Sequence, residues 1–133
     1  MADIEEIIEQ EISSVTGCDP VEMSDGTIAY TAIIVQFSDK FFIISADPDT
    51  DQIVSEVQIK TNGLDKNHPV AGHEAMVGKR IDNMWLCRNV KNYRDVLMLA
   101  LDGLQPSIGF IAEASRISLM LVKPVIRTAD PRL

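Results

Sequence analysis

Cysteine and histidine are scarce here, two of each in 133 residues. Cys18 and Cys87 lie far apart and form no Cys-x-x-Cys pair, which argues against a redox centre or a thiolate metal site and for two reduced thiols. His68 and His73 are five apart, missing the i, i+4 spacing that sets two imidazoles on one helix face. No apolar run approaches the roughly 20 residues of a membrane-spanning helix. No Lys or Arg occurs before Lys40, and Asp3, Glu5 and Glu6 stand where a secretory signal would carry basic residues. The expectation is a cytoplasmic protein with no membrane segment. An isoelectric point near 4.6 also argues against nucleic acid as a partner, since such binding draws its affinity from a basic surface.

What is present is a chain rich enough in apolar residues, at 46%, to bury a single-domain core. Its net charge of −8 is unevenly placed. Residues 1–39 hold nine acids and no Lys or Arg, whereas residues 40–133 hold eleven acids against twelve bases. Lys79, Arg80, Arg88, Lys91 and Arg94 make the stretch 79–94 locally basic.

Along the chain, Ile4, Ile7, Ile8, Ile12 and Val15 recur at helical spacing. Asp3 with Glu6 fits a capping box, and Gly17 and Pro20 supply stop signals. These features predict an amphipathic helix over residues 4–15, within an N-terminal unit 1–17, whose outer face carries Glu5, Glu9 and Glu11. The run Ile28–Phe37 is apolar on both faces and predicts one central strand. Lys40–Ala46 returns as its partner, and a third strand follows around Ile53–Ile59. Residues 28–60 thus form a first meander. Residues 61–78 read as a long loop with one short helical turn near His73–Val77. A second meander is expected over 79–124: Ile81–Arg88, then Tyr93–Leu101 as strand in preference to helix, then a hairpin of Ser107–Ala112 and Arg116–Val122. Residues 125–133 form a tail. The predicted fold class is α+β, with the N-terminal helix packed on a curved, mostly antiparallel sheet of about six or seven strands.

Asp47-x-Asp49-x-Asp51 has the alternate carboxylates of a calcium loop, but Gln52 replaces its glycine and Gln58 its bidentate glutamate. An acidic hairpin turn is the better reading. Gly72 and Gly78 precede Lys79-Arg80 without the Ser or Thr of a phosphate loop. No nucleophile–base order stands out, so neither catalytic residues nor a cofactor or metal site is assigned, and the reading leans away from an enzyme. The group singled out is Trp85, Asn89, Asn92, Tyr93, Arg94 and Asp95, with Arg88 and Lys91 beside it. Aromatic and arginine side chains together are what binding hot spots use, although cross-strand aromatic packing would explain the pair without a ligand.

Between Val77 and Leu121 the order Gly78-Lys79, Trp85, Asn89 and Tyr93-x-Asp95, followed by an apolar strand and a closing IAEASRISLML hairpin, resembles a family of small uncharacterised bacterial domains. The resemblance implies a bacterial origin and a single domain, and implies no activity. Three functional readings follow. The first is a protein-binding module of the immunity or inhibitor type, its candidate surface comprising Glu5, Glu9, Glu11, Trp85, Arg88, Lys91, Tyr93 and Arg94. The second is self-association, for instance as a homodimer. The third is a small-molecule binder or enzyme with a pocket near Trp85 and Tyr93.

Overall fold

Alternating apolar residues pair into two antiparallel sheets in the computed structural model, which describes residues 4–59 and 68–123. With strands numbered in chain order, one sheet runs β6 (Ile53–Gln58), β5 (Phe41–Ala46), β4 (Ala32–Gln36), β1 (Ser14–Cys18) and β7 (His68–Pro69). The other runs β2 (Val21–Glu22), β3 (Ile28–Tyr30), β11 (Arg116–Leu121), β10 (Ile108–Glu113), β9 (Arg94–Leu101) and β8 (Ile81–Arg88). The expected α+β fold with one sheet of six or seven strands is therefore corrected to a nearly all-β fold of two sheets. Among the described residues the helical pieces are two three-residue 3₁₀ turns, Ile4–Glu6 and His73–Ala75. None is long and apolar enough to cross a membrane. The tail 125–133 and the loop segment 61–67 lie outside the described residues.

The predicted N-terminal helix is absent. Its apolar residues were correctly marked for the core, since Ile7, Ile12 and Val15 are buried, but the backbone reaches the core by another route. Two i to i+3 hydrogen bonds, Ile7 N–H to Ile4 O and Gln10 N–H to Ile7 O, close short turns. Glu9 then adopts a left-handed φ of 69°. From there the N–H of Glu9 donates to Ile81 O, and Ile12 exchanges hydrogen bonds with Lys79 and Gly78. Ser14–Cys18 becomes strand because β-branched Val and Thr lose rotamer freedom in a helix and suit a pleated sheet. Tertiary pairing with β4, from Ser14↔Gln36 to Cys18↔Ala32, outweighs a helical spacing of only about three turns.

The run Ile28–Phe37 is not one strand. It breaks at Thr31, with Ile28–Tyr30 in one sheet and Ala32–Gln36 in the other. Its partner breaks at the same level, at Asp19-Pro20, where Asp19 has φ 49° and Pro20 lacks the N–H a ladder needs. The result is a long hairpin, β1–β2 against β3–β4, bent across both sheets. The Thr31 N–H and hydroxyl both donate to Cys18 O, at 3.0 and 3.4 Å, and fasten the bend.

The sheets face each other across one core. Val15, Ile33, Val35, Phe42 and Ile44 meet Tyr30, Leu97, Leu99, Phe110 and Ile117 there. Aligned or crossed sheets both leave such an alternating inner face. A second buried cluster, Cys18, Ala32, Ile34 and Ile43, lies on the other side of β1, β4 and β5, which is why those strands read as apolar on both faces. Cys18 is buried and Cys87 half-buried, and neither is in a disulfide.

A candidate binding hairpin

The eight residues singled out as a group from sequence all lie on one element, the β8–β9 hairpin. Arg88 and Arg94 face each other in register at its end, and Asn89–Tyr93 make the connection. Asn89 organises this turn. Its Oδ1 accepts from the N–H groups of Lys91 (2.8 Å) and Tyr93 (3.1 Å), and its Nδ2 donates to Asp95 Oδ2 at 3.1 Å. Asn92 takes the left-handed φ of 69° that Asn tolerates, and its Oδ1 accepts from the Arg88 guanidinium at 3.1 Å. The turn therefore presents the Tyr93 ring, 44% exposed, on a backbone with little freedom left to lose.

Two further turns approach this tip. Gln52 Oε1 accepts from the N–H of Arg94 at 3.1 Å. Asp51 Oδ1 accepts from the N–H of Ser115 at 2.6 Å, and the Ser115 hydroxyl donates to Pro48 O. Together the turns frame an open groove of about 300 Å³, lined among others by Asp51, Asn89, Lys91, Tyr93, Asp95 and Glu113. Three carboxylates stand against one ammonium, so the groove suits a cationic side chain. Trp85 is not part of it. In register Trp85 faces Met98 and not Tyr93, so the cross-strand aromatic pair is not formed, and Trp85 does not line this groove. Trp85 is half-buried and, because Met84 and Leu86 pack toward the core, it faces outward with Cys87.

Glu5, Glu9 and Glu11 are all exposed but do not share a helix face. Glu5 lies in the first 3₁₀ turn, Glu9 at the left-handed residue, and Glu11 forms an isolated bridge with Arg80. The backbones of the acidic and basic stretches thus meet within one molecule at this point, and the Glu6 carboxylate lies 3.4 Å from the Lys40 ammonium. Arg88, Lys91 and Arg94 lie at the other end of β8.

Two of the three Asp47–Asp51 carboxylates accept backbone hydrogen bonds. Asp47 Oδ1 accepts from the N–H of Asp49 at 2.8 Å, and Asp51 serves Ser115. His73 Nδ1 lies 2.9 Å from Val70 O and 3.7 Å from Glu74. Among the described residues no group of three or more His, Cys, Asp or Glu converges to hold a metal. A smaller cavity of about 60 Å³ sits between Asp25, Thr27 and Arg116, too small for a drug-sized ligand. Sequence reading missed Asp51, Gln52, Glu113 and Ser115 as neighbours of Tyr93. They come from turns tens of residues away, and no local spacing signals their approach.

Comparison with curated proteins found no match, and comparison with solved structures found none. A family pattern does match, over nearly the whole chain: residues 1–126 place the protein in the Family of unknown function (DUF6334), to which it belongs.

Proposed function

We propose that the protein is a protein-binding module that holds a basic segment of its partner at the tip of the β8–β9 hairpin. The observation that carries this reading is the exposed Tyr93 ring, fixed by the Asn89 turn beside a groove bearing Asp51, Asp95 and Glu113. A rigid aromatic loses little entropy on contact, and aromatic and Arg residues dominate interface energetics. The groove takes a Lys or Arg of the partner. The net charge of −8, with exposed Glu5, Glu9 and Glu11, steers a basic partner during approach.

A photo-crosslinking amino acid at position 93, expressed in the native host, tests this directly. The control carries the same group at Leu104, which is 88% exposed and lies in the connection at the opposite end of β9. A discrete protein adduct at position 93, absent at position 104 and lost on Glu113→Lys, is the expected result. With the captured protein purified, its on-rate falls as salt rises. Identical labelling patterns at the two positions would refute the proposal.

A further inference from the structure

Strand β8 is the edge of its six-stranded sheet, and the N-terminal segment covers only its beginning. Glu9 donates to Ile81 O, and beyond Ile81 no other described segment pairs with that edge, where Asn83 Oδ1 accepts from the Met84 N–H at 2.8 Å. An open edge is a template for another strand, and proteins usually blunt it with charge, bulges or brevity. Here the register with β9 shifts between Ile81 and Asn83 and again between Cys87 and Arg88. The five residues between the shifts, Asn83–Cys87, pair regularly, and Trp85 is their midpoint.

The residues flanking that stretch have opposite charge, Asp82 at one end and Arg88 at the other, and both are exposed. An antiparallel pairing of two copies about a two-fold axis through Trp85 sets Asp82 opposite Arg88 twice. It also sets Asn83 opposite Cys87, Met84 opposite Leu86, and Trp85 opposite itself. The register that centres the regular stretch is therefore the one that joins both charge pairs. Registers displaced from it separate Asp82 from Arg88. The outward face agrees. Trp85, Met98, Gly109 and Met120 stand level across β8, β9, β10 and β11, and Met120 lies over Gly109. Trp85 and both methionines are half-buried, so the row is an apolar band that reaches the open edge.

We infer that two copies of this chain associate through β8, edge to edge and antiparallel about Trp85, joining their six-stranded sheets into one. The interface is isologous and closes at two subunits, so it uses up the β8 edge of both copies. Backbone hydrogen bonds supply the attraction, and the two Asp82–Arg88 contacts select the register.

Sedimentation velocity from micromolar to several hundred micromolar protein tests the association. The mass rises toward twice 14.7 kDa, and Trp85, the only tryptophan, shifts its emission to the blue over the same range. Asp82→Lys alone or Arg88→Glu alone sets like charges opposite each other at both contacts and weakens association about tenfold or more. The double variant restores it, which a merely misfolded single variant would not allow. Asn83→Cys, oxidised at high concentration, gives a covalent dimer through Cys87 of the second copy, and adding Cys87→Ser abolishes it. A monomer throughout the range overturns the inference. So does a dimer indifferent to the charge swaps, or an Asn83→Cys variant that associates but does not cross-link.

Discussion

At Gly17 an added Cβ would lie 2.2 Å from Tyr30 Cδ1, because the Tyr30 ring covers this position at the bend of the long hairpin. The ring cannot easily move aside, being 3% exposed with its hydroxyl oxygen accepting from the N–H of Ala71 at 3.0 Å. Gly17→Ala should therefore cost about 1–3 kcal/mol, read from the urea midpoint, as overpacking in a filled core does. The sequence marks this glycine as significant but not why, since a helix stop and a close approach both call for Gly. Asp25 offers a second test. The Thr27 hydroxyl donates to its carboxylate, and the Thr27 N–H donates at 3.0 Å, holding its pKa below the usual aspartate range. Both bonds favour the charged form. Their contribution is present above the unfolded aspartate pKa and is lost as pH falls through the lower folded value. Carboxyl NMR should show a depressed midpoint for Asp25 that returns upward in Thr27→Val; an unmoved midpoint would count against this origin.

At the scale of elements, the hairpins carry the clearest signals. The β10–β11 hairpin turns through Ala114 and Ser115, with φ of 52° and 62°. Two left-handed residues match a type I′ turn, where Asn-Gly is preferred and alanine is strained. Ala114→Asn should raise stability by about 0.5–1 kcal/mol, measured as a higher denaturation midpoint, while Ser115 is left to hold Asp51 and Pro48. Apolar patterning made β5, β6 and β8 legible, and the flanking turns and shortness of the run did so for β9, because a strand's pattern is local even when its partners are not. The same reasoning failed at residues 4–15. Five apolar residues at helical spacing satisfy a helix, and equally satisfy an irregular segment that dips repeatedly into a core. What tips the balance is pairing with Gln36, Lys79 and Ile81, all distant in sequence.

For the whole molecule, the charge of −8 sets a long-range term that local pairs do not cancel. The Glu6–Lys40 pair is exposed and contributes at most about 1 kcal/mol. Self-repulsion among nine acids in residues 1–39 should dominate. Raising salt from about 0.02 to 0.5 M is thus expected to raise Tm by roughly 2–5 °C in a calorimetric scan. A falling Tm would mean that attraction between the acidic N-terminal segment and Lys79-Arg80 outweighs the repulsion.

By itself the sequence determined which residues leave water, where most strands lie, and that charge is concentrated toward one end. Those properties follow from side-chain chemistry and period-two patterning. Only the tertiary structure decided that the strands divide into two sheets, that the run Ile28–Phe37 bends at Thr31 between them, and that Ile4–Val15 forms no α-helix. It alone brought Asp51, Glu113 and Tyr93 to one groove and left β8 at an edge. Each of these depends on backbone hydrogen bonds between segments far apart in the chain, and such partners leave no trace in local spacing.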